Sequence, residues 1–423
     1  MKPEITAPAG TYEKLIWAVR YGADAVYFGL DFGSLRAYAG NFTLEQAAKG
    51  LDYLHKNGKK GYIALNIYPF SDEYDKLLDI AGQLADMNAD ALIVSDIGLI
   101  FELKKAGIKI PIHISTQANT TSSQTVLAYR QLGAARVNLA RELSFEQVEQ
   151  ICKDTLHSGV ELEVFIHGAV CFSYSGRCAI SDYLTGRKAN RGECTHPCRW
   201  GYSLVEEKRP DEYFPVFEDN RGQYMFNSKD LALFEYVEPL AKAGVSSFKI
   251  EGRMKSVHYI ASVVSLYRQL IDGQPRLAGQ ESGEAGKKIT PEDCLKLLGR
   301  VKNRGYSTGF MKGSITPDDY SYEKSRSKSG LPKGEVSPKA LLPLAEVIFV
   351  GDITEEGVCQ VRNKIFAGEK LEVLTPKGEI SQIEMPNPLK TDDGRQAEFI
   401  NNPQKILLEQ KLPPYSILRR IAE

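Results

Sequence analysis

The sequence predicts an α/β protein built on a (β/α)8 barrel of the TIM type. A cysteine-rich insertion precedes the last barrel strand, and a small C-terminal antiparallel β-barrel domain follows. Short β-branched runs alternate with amphipathic helical patterns over the first 251 residues. Such alternation is typical of a parallel sheet that helices cover on its outer side. From residue 345 onward the apolar pattern changes to period two, which predicts the antiparallel domain.

Eight apolar runs are predicted as the barrel strands. They are Glu4–Ala7, Ala25–Phe28, Gly61–Leu65, Ala91–Ser95, Ile112–Ser115, Arg136–Ala140, Leu162–His167 and Ser247–Glu251. Helical patterns between them include Leu44–Lys56, Glu73–Met87 and Ser144–Cys152. A doubly wound open sheet is the competing architecture, but no Gly-x-Gly-x-x-Gly follows the first strand to favour a dinucleotide-binding fold.

The connection between the seventh and eighth strands is unusually long, with about 80 residues between His167 and Ser247. Long connections inside compact domains are usually functional. We predict an insertion at residues 169–226 and a helix from Leu231 to Ala243 within this connection. The predicted domains are a barrel at 1–275, a linker with a short helix behind Thr290 at 276–340, and a β domain at 341–423.

The insertion contains four of the seven cysteines, namely Cys171, Cys178, Cys194 and Cys198. Their spacing, Cys-x6-Cys-x15-Cys-x3-Cys, supplies four soft thiolate ligands that suit tetrahedral zinc or an iron-sulfur cluster. The first pair is spaced more widely than is usual for structural zinc, which favours a 4Fe-4S cluster. Disulfides are the third alternative and need an oxidising compartment. Core packing is expected for Cys152, Cys294 and Cys359.

Polar residues at the predicted strand ends form the candidate site, because the chemistry of such barrels lies where strands end and loops begin. We predict His167, as a proton carrier, and Glu251 as catalytic residues. The predicted substrate-binding residues are Asn66, Gln117, Arg141, Arg177, Arg253 and Lys255. For any single residue, capping or turn formation explains a polar strand end equally well, and Glu251 could instead pair with Arg253.

Composition limits the classes of function. A formal net charge of -1 excludes a generally basic nucleic-acid coat, so any RNA contact must be regional. The chain has no run of about 18 apolar residues and no secretory leader pattern, so we expect a cytoplasmic protein without a membrane span. No His-Glu-x-x-His occurs, which leaves metallopeptidase chemistry without its usual zinc-binding motif.

Several spaced motifs run through the first 253 residues: Pro8-Ala-Gly10, Ala23-Asp-Ala-Val-Tyr27, Phe165-Ile-His-Gly-Ala169, Tyr174-Ser-Gly-Arg-Cys178, Cys198-Arg-Trp200, Asn227-Ser-Lys-Asp-Leu231 and Lys249-Ile-Glu-Gly-Arg253. Together they resemble the signature of peptidase family U32, the collagenase-like proteins. The resemblance spans residues 1 to about 275, and the terminal β domain resembles the C-terminal domain of that family. The family name implies proteolysis, whereas many members are understood as oxygen-independent hydroxylases that carry a 4Fe-4S cluster.

Two further stretches, Glu212–Asp219 and Gly305–Phe310, resemble the branch of the family that forms 5-hydroxyuridine at the wobble position of tRNA. That resemblance implies tRNA as the partner and prephenate as a small carboxylate co-substrate and oxygen source. Some members place a cluster ligand where this chain has Ala232, so Cys198 is expected to supply the fourth thiolate, with a three-cysteine cluster as the alternative. The competing functions are a metal-dependent peptidase, a hydroxylase of ribosomal RNA, and a non-catalytic RNA-binding protein with structural zinc. No obligate protein partner is expected.

Overall fold

The computed structural model describes residues 2–34, 41–171, 173, 180–187, 193–195, 204–206, 209–214, 217–219, 222–224, 228–273, 289–315 and 347–421. The chain divides into two compact units. The first comprises Met1–Tyr12, Ala25–Met254 and Asn303–Pro343, and the second comprises Glu13–Asp24, Lys255–Lys302 and Leu344–Glu423.

The strands of the first unit are, in chain order, β1 (Glu4–Pro8), β2 (Ala25–Gly29), β3 (Lys60–Leu65), β4 (Ala91–Val94), β5 (Ile112–Ile114), β6 (Ala134–Asn138), β7 (Glu161–Gly168), β8 (Leu204–Glu206), β9 (Arg209–Phe214), β10 (Phe217–Asp219), β11 (Gly222–Tyr224), β12 (Asp230–Ala232), β13 (Ser247–Ile250) and β14 (Tyr306–Ser307). The helices that precede the C-terminal strands are α1 (Tyr12–Arg20), α2 (Leu44–Lys56), α3 (Tyr74–Asp86), α4 (Ile97–Lys105), α5 (Ser123–Gln131), α6 (Phe145–Thr155), α7 (Ile180–Thr185), α8 (Val237–Ala243), α9 (Val257–Asp272) and α10 (Pro291–Gly299).

Eight parallel strands of the described chain, β1–β7 and β13, close into a barrel. Each of β1–β6 pairs with the next strand in the chain, and β13 closes the ring by pairing with β1 on one side and β7 on the other. All eight correspond to the predicted runs, so the predicted barrel is confirmed and the open sheet is excluded. The ring places the carboxyl ends of all eight strands at one end of the barrel, which is called the mouth below.

Side-chain caps start the helices near where the sequence indicates. Thr43 Oγ1 accepts a hydrogen bond from Gln46 N at 3.1 Å, and Gln46 Oε1 accepts one from Thr43 N at 3.1 Å. This reciprocal capping box satisfies two backbone donors at the start of α2. Ser144 and Thr290 form the same arrangement at α6 and α10, and Ser256 caps α9. The helix predicted behind Thr290 is therefore present.

The helix predicted from Leu231 to Ala243 is wrong in its first half. Asp230–Ala232 forms strand β12, which pairs antiparallel with β7, and only Val237–Ala243 is α-helical. Leu231 lies opposite Gly168 in this ladder, and Leu233 N donates to Ile166 O at 2.8 Å. The backbone hydrogen bonds offered by β7 outweigh the local helical preference of this segment.

The second unit contains the C-terminal β domain together with α9 and α10. Its strands are β15 (Val347–Ile353), β16 (Cys359–Val361), β17 (Ile365–Phe366), β18 (Lys370–Leu374), β19 (Ile380–Glu384), β20 (Leu389–Lys390), β21 (Gln396–Ala397), β22 (Phe399–Ile400), β23 (Lys405–Ile406) and β24 (Ile417–Ile421). Six of the strands described here form a sheet in the order β19-β18-β24-β15-β16-β23, and all of its pairings are antiparallel. The predicted period-two domain is confirmed.

Polar contacts join the C-terminal strands to the helical segments of the same unit. The Tyr21 hydroxyl donates to Leu374 O at 3.0 Å and to Tyr415 O at 2.8 Å. Glu372 accepts from Arg300 and from the fully buried Arg419, each at 2.6 Å. Of the predicted linker, residues 289–315 are described, and its remaining residues lie outside the described part of the chain.

Candidate functional site

The first part of the mouth is a polar arc at the ends of β3, β4 and β5. Asn66 follows β3, and its Nδ2 donates to Ser115 Oγ at 3.4 Å, while Ser95 Oγ donates to Asn66 O at 3.0 Å. The Tyr68 hydroxyl donates to Gln117 O at 2.5 Å. These contacts fix the loops after β3 and β5 against each other, so the predicted residues Asn66 and Gln117 lie in one hydrogen-bonded region.

Arg141 lies after β6 and fixes the start of the cysteine-bearing connection. Its guanidinium carbon lies 3.9 Å from the centroid of the Phe165 ring on β7, and its Nη1 donates to Ala169 O at 3.1 Å. Ser228 Oγ donates to Val170 O at 3.0 Å from the returning end of the same connection. The two residues that precede Cys171 are thus held by hydrogen bonds from both sides.

His167 and Glu251 meet where the neighbouring strands β7 and β13 end. Glu251 N donates to His167 O at 2.9 Å, and the pairing register shifts between Lys249 and Ile250, so that Ile250 lies opposite His167. His167 is 1% exposed, and its ring centroid lies 5.4 Å from that of Tyr306. Burial of the imidazole means that any proton it carries must be exchanged within the protein or with a bound substrate.

Gly168 is required by this arrangement. Its φ is +115°, and a Cβ built on it would lie 2.5 Å from Glu251 O. An L side chain is strained at this φ and has no room against the backbone of the loop after β13. The loop after β13 and the end of β7 therefore approach each other more closely than a side chain would allow.

Arg253 lies on the loop after β13, on the side of the ring next to β1 and β2. It is 5% exposed, and its Nη1 donates to Ser34 Oγ at 2.8 Å. A Cβ on Gly29, the last residue of β2, would lie 2.3 Å from Ser34 Oγ and 2.4 Å from Arg253 Nη1. The absence of a side chain at Gly29 therefore creates the space that the guanidinium occupies.

The two remaining predicted binding residues are Lys255 and Arg177. Lys255 belongs to the second compact unit, where its ammonium lies 5.0 Å from the centroid of the Tyr259 ring. Arg177 lies outside the described residues.

Two of the four predicted ligand cysteines are described. Cys171 is exposed and lies three residues after the end of β7, so its thiol belongs to the mouth, whereas Cys178 and Cys198 lie outside the described residues. Cys194 is partly buried next to Thr195, whose backbone N donates to Ser181 Oγ on α7 at 3.2 Å. Helix α7 begins at Ile180, two residues after Cys178 in the sequence. A hydrogen bond therefore connects the residue after Cys194 to a residue three positions after Cys178.

The structure describes Cys171 and Cys194 but not the complete set of predicted ligands. Among them, no cluster of three or more His, Cys, Asp or Glu side chains is arranged to hold a metal ion. Ala232, which the resemblance in the sequence marks as a possible ligand position in other family members, is 3% exposed on β12 and lies opposite His167. The cysteines Cys152, Cys294 and Cys359 are buried, as predicted for core residues.

The sequence analysis missed a network of charged residues inside the barrel. The carboxylate of Glu163 on β7 lies 2.9 Å from the Lys249 ammonium on β13 and 3.7 Å from the Arg136 guanidinium on β6. Arg136 also pairs with Glu4 on β1 at 2.6 Å, across the interior. Glu163 accepts further hydrogen bonds from Asn138 and Ser247, at 2.7 and 2.8 Å. In β7, Glu161 and Glu163 alternate with apolar residues, which is a sequence signal for charge on one face of that strand but not for its partners.

The pKa of Glu163 reflects its position in this network. Burial alone would raise its pKa, but Lys249 and Arg136 outweigh burial and lower the pKa to about 2. Burial lowers the pKa of Lys249 in spite of Glu163, with smaller contributions from Arg136 and Arg253. The lowered pKa of Glu163 favours a charged pair, whereas the lowered pKa of Lys249 disfavours it. The charged pair is the favoured state, because the Glu163 carboxylate has two cationic neighbours.

The network ends beneath the mouth. The Lys249 ammonium lies 4.6 Å from the centroid of the Tyr27 ring and 5.7 Å from that of Phe165, whose ring also contacts Arg141. Aromatic rings stabilise both cations electrostatically. The mouth therefore combines the cationic residues Arg141 and Arg253, the carboxylate Glu251, the imidazole His167 and the thiol Cys171. Such a set suits binding of an anionic molecule and proton transfer beside the Cys171 thiol.

A closed (β/α)8 barrel with polar residues and a thiol-bearing connection at its mouth defines a class of barrel proteins whose site lies at the carboxyl ends of the strands. The profile of peptidase family U32 matches residues 10–319, and that of the peptidase family U32 C-terminal domain matches residues 345–419. The chain belongs to peptidase family U32.

Proteins with different names are similar in sequence to this chain. The chain is 36% identical over 424 residues to tRNA hydroxylation protein P of Escherichia coli (strain K12), with 90% of this chain and 88% of that protein covered. It is 33% identical over 423 residues to tRNA hydroxylation protein P1 of Bacillus subtilis (strain 168), with 99% and 95% covered. It is also 32% identical over 320 residues to a collagenase of Porphyromonas gingivalis (strain W83), with 73% of each chain covered. Within the described residues, the helices are too short or too polar to cross a membrane.

Proposed function

We propose that this protein is an RNA-modifying enzyme that hydroxylates tRNA, forming 5-hydroxyuridine at the wobble position without molecular oxygen. The observation that carries the proposal is the similarity over nearly the whole chain to two proteins named for tRNA hydroxylation. The mouth supports it, because cationic, acidic and imidazole side chains lie beside the connection that bears the cysteines.

Cys171, Cys178, Cys194 and Cys198 are proposed to hold a 4Fe-4S cluster, with zinc as the alternative. The donor chemistry supports this assignment, since four thiolates suit either group. When bound, such a cluster would supply electron transfer or Lewis-acid activation of an oxygen-bearing substrate. The hydrogen bonds to Ala169 O and Val170 O support a role at the mouth, because they hold the backbone that leads directly to Cys171.

Arg141 and Arg253 are proposed to bind the carboxylates of the co-substrate, for which prephenate is the candidate oxygen source. Guanidinium groups pair with carboxylates in a planar, two-pronged geometry. The contacts of Arg253 with Ser34 and of Arg141 with Phe165 hold the two side chains in place before a ligand arrives. Such prior ordering reduces the entropy that is lost on binding.

His167 is proposed to carry a proton at the reacting centre, and Glu251 to accept one or to orient the substrate. The two residues lie at neighbouring strand ends and are joined through the backbone. Asn66 and Gln117 belong to the opposite part of the ring, where the serine hydroxyls Ser95 and Ser115 extend the polar surface. A substrate that spans the mouth would meet both groups of residues.

Two experiments test the proposal. Protein purified without oxygen is expected to be coloured and to contain iron, whereas a colourless, zinc-loaded protein would contradict the cluster. Mass spectrometry of tRNA from a strain that lacks the gene and its paralogues is expected to show loss of 5-hydroxyuridine, restored by the wild-type gene but not by an Arg253→Met variant. Unchanged 5-hydroxyuridine in that strain would exclude the proposed role.

A metal-dependent peptidase is the second candidate, favoured by the similarity to a collagenase. The two candidate functions differ in their substrates, which are a protein for the peptidase and tRNA with prephenate for the hydroxylase. Incubation of the iron-loaded protein with collagen or gelatin is expected to leave both intact, while the same preparation modifies tRNA in the presence of prephenate. Cleavage that is abolished by a metal chelator and lost in a His167→Ala variant would favour the peptidase.

A further inference from the structure

The C-terminal β domain exposes two phenylalanine rings side by side. Strands β17 and β22 pair antiparallel, with Ile365 opposite Ile400 and Phe366 opposite Phe399. The isoleucines are fully or almost fully buried, whereas Phe366 is 42% exposed and Phe399 is 46% exposed. Because directly opposed residues point to the same side of a pair of strands, the ladder sends the isoleucines inward and both rings outward.

Cations accompany the two rings. The Lys364 ammonium lies 3.8 Å from the Phe399 centroid and 4.7 Å from the Phe366 centroid. The Arg420 guanidinium carbon lies 5.4 Å from the Phe366 centroid, and Arg420 also pairs with Glu369. Within the described part of the chain, no carboxylate forms a salt bridge with Lys364. The surface formed by Lys364, Phe366, Phe399 and Arg420 is called the aromatic-basic surface below.

The chemistry of this surface matches unpaired nucleotides more closely than it matches a protein partner. Nucleotide bases stack on exposed aromatic rings regardless of sequence, and nearby cations neutralise the phosphates that link them. Lys364 has a flexible stem, so its ammonium can move from the ring faces to a phosphate when a base takes its place. A purely apolar docking face would not need a lysine over both rings.

We propose that the aromatic-basic surface binds unpaired nucleotides of the tRNA substrate, with bases stacked on Phe366 and Phe399 and phosphates beside Lys364 and Arg420. The inference rests on the proposed function, because it assumes that the protein acts on tRNA. It assigns the C-terminal domain a task in substrate binding that is separate from the chemistry of the barrel mouth. It also explains how a chain with a net charge of -1 can bind RNA, through a local surface.

The test compares a Phe366→Ala/Phe399→Ala variant with a Leu407→Ala control, since Leu407 is a 40% exposed apolar residue of the same domain. Fluorescence anisotropy would measure binding of an unmodified tRNA transcript, of a single-stranded RNA of about 12 nucleotides and of a blunt RNA duplex. The double variant is expected to weaken binding of the tRNA and of the single strand by about tenfold or more, because stacking of each base is worth a comparable factor. Binding of the duplex and the behaviour of the control are expected to stay at wild-type levels.

A second variant tests the role of charge. Lys364→Ala is expected to reduce the slope of log affinity against log salt concentration for the single strand by about 0.7, which corresponds to one lost phosphate contact. Conservative Phe366→Tyr is expected to retain binding, because the tyrosine ring also stacks on bases. Circular dichroism spectra that match the wild type would show that each variant is folded.

The outcomes separate this inference from the proposed function. If the wild type neither binds nor hydroxylates tRNA, the proposed function fails and the inference fails with it. If the wild type hydroxylates tRNA but the double variant binds all three RNAs as the wild type does, the inference alone is wrong. A double variant that keeps RNA affinity but loses self-association in sedimentation would identify the surface as an interface between copies of this chain and would also overturn the inference.

Discussion

The Lys249 ammonium lies 2.9 Å from the Glu163 carboxylate in the interior of the barrel, where Lys249 is 4% exposed and Glu163 is 1% exposed. Because both groups are withdrawn from water, the structure must compensate each charge internally. It does so with Arg136, Asn138 and Ser247 around the carboxylate and with two aromatic rings around the ammonium. The pair joins β7 to β13. His167 lies on β7, and Glu251 directly follows β13.

The first prediction is that Lys249→Met destabilises the protein by about 3–5 kcal/mol, because it leaves a buried carboxylate short of a cation. Lys153→Met is the matched control, since Lys153 pairs with Glu149 at 2.7 Å on the surface. Its expected cost is below about 1 kcal/mol. Urea unfolding followed by circular dichroism would measure both. Equal costs for the two variants would contradict a stabilising role of the buried pair.

The second prediction concerns acid stability. The pKa of Glu163 is lowered to about 2, below the value of about 4.3 expected in the unfolded chain. A lowered pKa stabilises the folded state above the unfolded value, and this stabilisation is lost as the pH falls from about 4.3 through about 2. In Glu163→Gln this dependence is absent, so the difference in unfolding free energy between wild type and variant should shrink over that range. A difference that stays constant from neutral pH down to about pH 2.5 would show that Glu163 does not titrate as expected.

The barrel and the position of its mouth were predictable because the signals are local. Each strand is a short apolar run, and a polar residue such as Asn66 follows directly, so chain order alone places it at a strand end. The buried pair is a different case, because Glu163 and Lys249 lie 86 positions apart. Nothing near either residue indicates its partner, and the charged residues are hidden within strands that are otherwise apolar.

Contacts that depend on tertiary structure explain the remaining differences. Leu231 belongs to a segment with a helical pattern, yet the end of β7 at His167 and Gly168, beyond its pairing with β6, converts that segment into strand β12. Ser34 could not be assigned to the site from the sequence, because only the folded loops bring its hydroxyl to Arg253. The roles of the individual site residues, including the cysteines, remain predictions.

The third prediction is that Gly29→Ala displaces Arg253 at the mouth and lowers activity without unfolding the barrel. The added methyl group would overlap Ser34 Oγ and Arg253 Nη1, so the guanidinium must move. A displacement of about 1 Å at a binding group costs on the order of a hundredfold in rate, so kcat/KM for tRNA hydroxylation should fall by up to that factor. Overpacking is expected to cost about 1–3 kcal/mol of stability.

Gly82→Ala is the control for this substitution. Gly82 lies within α3, and a Cβ at this position meets no atom within 4 Å. Alanine there should stabilise the helix by about 0.5–1 kcal/mol and leave activity unchanged. An active Gly29→Ala variant with wild-type prephenate dependence would contradict the placement of Arg253 at the co-substrate.

The fourth prediction concerns the ligands of the proposed cluster. Alanine at Cys171, Cys178, Cys194 or Cys198 should each lower the iron content of anaerobically purified protein, because a cluster that loses a thiolate is bound less tightly. Cys152→Ala is the control, since Cys152 is 4% exposed within α6 and is not a predicted ligand. Iron analysis and visible absorption would measure the outcome, and full iron in both Cys171→Ala and Cys194→Ala would contradict the cluster.

Cys198 decides between the four-cysteine and three-cysteine alternatives. Ala232 has a methyl side chain on β12 and cannot ligate iron, so a fourth protein thiolate must come from elsewhere in the chain. If Cys198→Ala loses iron as the other three variants do, all four cysteines are ligands. If Cys198→Ala keeps full iron while the other three variants lose it, the cluster is held by three cysteines and its fourth iron is left for a substrate oxygen or another donor.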